Sequence, residues 1–271
     1  MPMRILLALL ITLTLGGCAT VHTTDSGVVG VQRTQRMSYS AAEVNNAAVQ
    51  AYGQTLQKAQ SKGILNRNSA QLNRVRTIAN RLIPATAAFR KDGPGWQWEV
   101  NVISSDEVNA WCMPGGKMAV YTGLIEKLQV TDDELAAVMG HEIAHALREH
   151  GREKASQQQA QAAAVNIGAA LLGLGNVATN LAGVVANVTW GLPNSREFEH
   201  EADNVGVELA ARAGYDPRAA ITLWQKMERA AGGGGPGFLS THPSAANRIS
   251  ELQKAAARVM PLYQQTSGQM K

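Results

Sequence analysis

The stretch "HEIAHALREH", residues 141–150, constrains the fold more than any other part of the chain. His141 and His145 stand four residues apart, and only in a helix do side chains at that interval leave one face and reach a single cation together. Glu142 lies beside them, placed to take a proton from an attacking water without itself being a ligand, which is the zinc-hydrolase reading of His-Glu-x-x-His. A catalytic zinc takes three protein ligands and keeps one position open, so a third ligand has to arrive from elsewhere in the chain. His150, five residues beyond His145, is rotated away from the shared face. As a helix-end histidine near the carboxyl-terminal dipole, it is expected to stand outside the ligand set.

The acidic run "EFEHEAD", residues 197–203, offers the missing ligand several times over. If Phe198, Ala202, Val205 and Leu209 form a buried stripe, Glu199 with Asp203 flank it on one side, and Glu197 with Glu201 flank it on the other at equal angles. Periodicity leaves both pairs open.

Around these segments the chain reads as mainly helical. Good helix formers fill 41–60 and 69–83, with Ser40 and Ser69 as expected caps and Pro84 closing the second stretch. In "WQWEVNVI", residues 96–103, Trp96, Trp98, Val100 and Val102 alternate with polar residues as in a half-buried strand. "NAWCMPGGKMAVYTG", residues 109–123, reads as strand, Pro-Gly-Gly turn and strand, and this small sheet is the one β signal. Thr122 or Thr131 can cap a helix over 132–150. No charged residue occurs between Lys154 and Arg196, yet Asn166, Asn176, Asn180 and Asn187 would put costly amides at bilayer depth. A helical hairpin of small residues is expected there rather than a membrane span. "SREFEHEADNVGVELAARAG" is a further helix ended by Gly214; Asp216-Pro217 opens another, and "THPSAANRI", residues 241–249, a last one.

The chain starts MPMRILLALLITLTLGGC, with Arg4, an apolar run over 5–15 and two small residues before Cys18. That is the pattern of a secretory signal, its apolar core short for a membrane span, and Leu-Gly-Gly-Cys resembles a bacterial lipobox. Residues 1–17 are thus expected to be a signal peptide, 18–39 a lipidated Cys18 with a flexible tether, and 40–271 a single domain. Ala19 stands where an acidic residue would, in enterobacteria-like sorting, hold a lipoprotein in the inner membrane, which points to the periplasmic face of the outer membrane. With Cys18 lipidated, Cys112 has no partner within the chain and is read as a small buried hydrophobe. A net charge of +4 with dispersed Lys and Arg offers nucleic acid no stripe to bind.

Four segments in order, "NAWCMPGGKMAVYTGLI", "GHEIAHALREH", "SREFEHEAD" and "THPSAANRI", resemble family 48 of the metallopeptidases. This is the group of the HtpX, CAAX prenyl and Oma-type proteases, and the chain is similar within it to the LoiP-like periplasmic lipoprotein members. The resemblance covers Asn109–Ile249. It implies an α+β, mainly α, zincin-like (gluzincin) domain with one small sheet beside the active-site helix. It further implies one Zn2+ per chain held by His141, His145 and Glu199, because the Glu of the family's Ser-Arg-x-x-Glu-x-x-Ala-Asp pattern falls on Glu199. Glu142 is then the catalytic base, and Asp203 orients a ligand or an Arg. His242 and Arg248 are implied to assist the charge on the tetrahedral intermediate, and the glycines at 232–235 would let His242 block the zinc at rest or leave it. The strand around Met118, Ala119 and Val120, with Asn109 and Ala110 before it, is implied to bind substrate backbone as an added strand. The implied activity is a zinc-dependent endopeptidase acting on misfolded or unassembled envelope proteins, near outer-membrane assembly machinery or other periplasmic proteases. A chaperone-like or scaffold lipoprotein and a structural zinc site are the competing readings.

Overall fold

The computed structural model describes residues 19–171, 180–231 and 237–269, with backbone alone at 164–171, 231 and 269. The expected signal peptide, Cys18, the turn of the expected hairpin and the glycine run lie outside the described residues. In chain order come β1 (Ala19–Val21), β2 (Gln35–Met37), α1 (Ala41–Ser61), α2 (Ser69–Ala85), β3 (Glu99–Ile103), β4 (Ala110–Met113) and β5 (Lys117–Tyr121). They are followed by α3 (Thr122–Leu128), α4 (Asp132–Leu147), α5 (His150–Leu171), α6 (Leu181–Ala186), a π-helical turn (Asn187–Gly191), α7 (Arg196–Arg212), α8 (Ala219–Ala231), α9 (Phe238–Thr241) and α10 (Arg248–Gln269). The fold is α+β and mainly α.

Helix starts follow side-chain chemistry. Ser40 and Glu43 form a reciprocal capping box at α1, as do Thr131 and Glu134 at α4, each satisfying two otherwise orphaned amides. The cap of α2 is Asn68 rather than the expected Ser69, which is its first helical residue. From Glu134 to Leu147 every residue of α4 is buried, so this helix is the centre of the core. It stops at Leu147, short of the expected residue 150, because Glu149 takes a left-handed conformation with φ 52°. The carboxylate of Glu149, bonded by Arg90 and Arg152, holds that turn, and α5 restarts at His150.

In the three-stranded sheet β3 runs parallel to β5, with Val100 opposite Met118, and β4 runs antiparallel to it, with Trp111 opposite Ala119. The strand order is β3-β5-β4. Alternate residues serve different layers. Val100, Val102, Cys112, Met118 and Val120 join the core around α4, whereas Ile103, Trp111, Met113 and Ala119 pack with α1 and α6. The strand begins at Glu99 rather than at Trp96; Trp96 and Trp98 stack on each other ahead of it. The outer edge of β3 is covered, since Asn66 donates its backbone N–H to Val102 and Ser104 donates to Ile64. This corrects the expectation for substrate docking: Met118, Ala119 and Val120 belong to the central strand, paired on both sides, and among the described residues the edge without a neighbouring strand is β4.

One further expectation changes, and another stands. The tether expected over 18–39 is, from residue 19 on, folded onto the domain: β1 and β2 form a second, antiparallel ribbon, and Val29, Val31 and Met37 are buried. Gln35 donates its amide to the carbonyl of Arg148. The uncharged segment beyond Lys154 forms α5 and α6, with α6 packed on α1, and among the described residues no helix is long and apolar enough to cross a membrane.

Helices α4 and α7 touch backbone to backbone. A Cβ placed on Gly140 would stand 2.8 Å from the carbonyl oxygen of Gly206, and one on Gly206 would stand 2.7 Å from the nitrogen of His141. Glycine at both positions is what lets the two helices cross closely enough for short carboxylate side chains of α7 to reach the histidines of α4.

Candidate active site

One turn past the crossing, the side chains converge. His141 Nε2 lies 3.1 Å from His145 Nε2 and 3.4 Å from Glu199 Oε2, and His145 Nε2 lies 3.3 Å from Glu199 Oε1. His242, delivered by α9, places Nδ1 2.9 Å from Glu199 Oε1 and 3.3 Å from His141 Nε2. All four residues are buried, and their ligand atoms lie within 4.8 Å of one another. Four ligand atoms about 2.0–2.1 Å from one ion stand about 3.3–3.4 Å apart in a tetrahedron, so the spacing and the nitrogen and oxygen donors fit a divalent metal of zinc type.

The flank of α7 that faces α4 carries Glu199 and Asp203; the other flank turns Glu201 toward the start of α5 and leaves the Glu197 side chain 62 % exposed. Asp203 Oδ1 sits 3.0 Å from His141 Nδ1, off the axis of the ring N–H, and accepts from Arg248 Nη2 at 2.7 Å. The same Nη2 donates to Glu199 Oε2 at 2.9 Å, while the guanidinium lies over the Trp224 ring, 3.2 Å from its centroid. Arg248 thus holds the two carboxylates, Glu199 and Asp203, through one terminal nitrogen.

Burial and charge set the protonation of these groups. Burial alone would raise Glu199, but His242 and His141 beside it hold the carboxylate well below its usual range. Burial would likewise lower His141, and Glu199 with Asp203 outweighs it and raises the ring to about 9. His145 is pushed well down by burial, which keeps the neutral imidazole a ligand needs. Glu142 is raised by burial, partly offset by His242, His141 and the backbone of Cys112, and its Oε1 has no hydrogen-bond partner among the described residues. A buried carboxyl that carries a proton more readily than usual, with an oxygen unengaged, is suited to general acid and base work.

Asn194 escaped sequence reasoning because it sits on a loop without period. Its Nδ2 donates to Glu199 Oε1 at 2.8 Å and its backbone N–H to the carbonyl of Thr241 at 2.8 Å, which staples the 188–194 segment to the residue before His242. Lys154, the last charge before the uncharged run, holds that segment through Val188, Leu192 and Asn194, with burial lowering its ammonium to about 8. Beneath it Cys112, Glu142, His145, Val188, Asn194 and His242 line a cavity of about 30 Å³. Cys112 is buried and free, its thiol pushed well up by that burial, as a small hydrophobe should be.

Asn109 bonds its neighbours rather than the cavity: its side-chain oxygen accepts from Ala110 N–H and its amide donates to Glu107. His150, expected to be a bystander, is 1 % exposed, with Nδ1 2.8 Å from His145 Nδ1 and Nε2 2.9 Å from Glu201 Oε2. The left-handed Glu149 breaks the helical phase from which its absence was expected, and swings the ring back behind His145.

Against known proteins, the profile of peptidase family M48 matches residues 69–256. A mitochondrial metalloendopeptidase OMA1 of Schizosaccharomyces pombe is 39 % identical over 160 residues, covering 58 % of this chain and 46 % of that protein. The mitochondrial metalloendopeptidase OMA1 of Bos taurus is 33 % identical over 219 residues, 73 % of this chain and 40 % of its own length. A beta-barrel assembly-enhancing protease of Escherichia coli is 29 % identical over 175 residues, 61 % of this chain and 36 % of that protein. The chain thus spans less than half the length of each of these three relatives.

Proposed function

The chain belongs to peptidase family M48, and on that premise we propose that it is a zinc-dependent metalloendopeptidase hydrolysing peptide bonds in misfolded or unassembled cell-envelope proteins. The observation that carries this reading is the meeting of His141, His145 and Glu199 beside Glu142, a buried carboxyl with a free oxygen. An ion held by those three side chains supplies a Lewis acid for the scissile carbonyl. Glu142 takes a proton from the attacking water and hands it to the leaving amine. Arg248 and Asn194 keep the Glu199 carboxylate aimed, and Asp203 stands behind His141.

The free edge of β4 is the surface suited to substrate. Asn109 accepts from Tyr121 N–H, so the antiparallel alternation turns the main-chain groups of Ala110 and Cys112 away from β5. Ala110 N–H is already bonded to Asn109 and the Cys112 amide faces the Glu142 carboxylate, which leaves the Ala110 and Cys112 carbonyls to pair with an extended chain. Such pairing selects unfolded segments over folded ones and is loose in sequence preference. The cavity of about 30 Å³ beside Glu142 has room for water, and on our reading His242 and Asn194 withdraw to admit a peptide. With its Nδ1 in the donor set, His242 makes this a self-blocked resting arrangement. In zinc-loaded His242→Ala, X-ray absorption is expected to count one nitrogen donor fewer and casein turnover to change; if both stay as in the wild type, His242 has neither role.

We place the enzyme at the periplasmic face of an outer membrane, lipid-anchored at Cys18, with assembly machinery or other periplasmic proteases as neighbours. The signal-like start of the sequence supports this, as does the name of the Escherichia coli relative. The purified chain is expected to degrade casein, to spare a tightly folded protein, to stop on chelation and to resume on adding zinc. Chelation that unfolds the protein would favour a structural metal, which four protein donors also suit. Zinc binding without turnover of any unfolded protein would favour a scaffold.

A further inference from the structure

We propose that Glu201 and His150 form a hydrogen-bond relay that fixes His145 in the tautomer and orientation needed to bind the metal, and that Arg33 of the amino-terminal segment anchors the relay. The inference rests on the metal site proposed above. His145 offers Nε2 to the donor group, and its Nδ1 lies 2.8 Å from Nδ1 of His150. Two ring nitrogens at that distance share one hydrogen. A neutral imidazole with a lone pair on Nε2 carries its hydrogen on Nδ1, so His145 donates and His150 Nδ1 accepts. The hydrogen of His150 then resides on Nε2, 2.9 Å from Glu201 Oε2, and is donated to that carboxylate. Each link dictates the next, and the chain runs one imidazole longer than the carboxylate–histidine pair that commonly stands behind a metal ligand.

The far end is held in place by several charged partners. Arg33 Nε donates to Glu201 Oε1 at 2.8 Å, and its two terminal nitrogens grip Glu153 at 2.7 and 2.9 Å. Arg148 Nε adds a bond to Glu201 Oε2 at 3.0 Å. The His150 ring stacks on Phe198, 4.4 Å between centroids and 5° between planes, and Arg33 lies over the same Phe198 at 5.2 Å. The segment between β1 and β2 thus supplies a positioning residue to the metal site, though it stands more than a hundred residues before it in sequence.

The test measures the zinc dissociation constant of the full chain by chelator competition, beside the melting temperature of each variant without zinc. His150→Phe keeps the stacked ring and removes the hydrogen bonds, and is expected to bind zinc roughly 10- to 100-fold more weakly. His150→Asn returns an amide oxygen near the position of Nδ1 and should recover most of the loss, whereas Arg33→Met should show a smaller loss in the same direction. Wild-type zinc affinity in folded His150→Phe, or an equal loss in the Phe and Asn variants, overturns the relay. If His150→Phe does not fold, wild-type affinity in Glu201→Gln overturns it instead. A wild-type chain that binds no zinc would sink the proposed function and not the relay alone.

Discussion

Glu142→Gln is expected to retain zinc at wild-type affinity while casein hydrolysis falls by at least about 10²- to 10⁴-fold, the range a positioned general acid–base commands. Glutamine has the same shape, so the packing against Cys112 and His145 persists. What disappears is the capacity to accept and return a proton. Glu142 Oε1 has no hydrogen-bond partner among the described residues, and His242 Nε2 stands 3.4 Å from it. No other carboxyl lines the small cavity, since Glu199 is held by Arg248, Asn194 and the histidines. Cleavage that survives the substitution, with zinc bound and the melting temperature unchanged, would remove Glu142 from the mechanism.

What the sequence made legible was local and periodic. The i, i+4 histidines, the Pro-Gly-Gly hairpin and the helix of "SREFEHEAD" all stand in the structure, because spacing along one element decides which side chains share a face. The choice between the two flanks of α7 was not decidable that way. It is made by the contact of Gly140 with Gly206, which sets the rotation of α7 against α4 and turns Glu199 and Asp203 inward. Family pattern reached the same residue by another route. His150 stands outside the four donors as expected, but its place behind His145 was hidden because a single helix to residue 150 was assumed, and one left-handed residue undoes that arithmetic. The segment 19–39 looked like a tether because three-residue strands carry no period. Its place is settled by long-range bonds of Arg33 and Gln35, which no local pattern announces. Docking on β5 was what the resemblance implied, and only the parallel pairing of β3 makes that strand the central one.

Glu199→Ala and Glu201→Ala separate the ligand from its support, although the two carboxylates stand only two residues apart. Both are buried and held as anions, and each has arginine partners, so burial and charge alone do not distinguish them. Their surroundings do. Glu199 Oε1 faces His145 Nε2 and His242 Nδ1, and its loss removes a donor while leaving Asn194 and Arg248 short of an acceptor. Zinc affinity should therefore fall by more than the roughly 10- to 100-fold that residues behind a ligand command, and metal analysis after dialysis should find the variant empty. Glu201 reaches the donor group only through His150 and His145, so Glu201→Ala should still fill with zinc when it is in excess, at weaker affinity. Retention of metal in Glu199→Ala with its loss in Glu201→Ala would overturn the ligand assignment, and with it the inference that the Gly140–Gly206 crossing selects which face of α7 holds the ion.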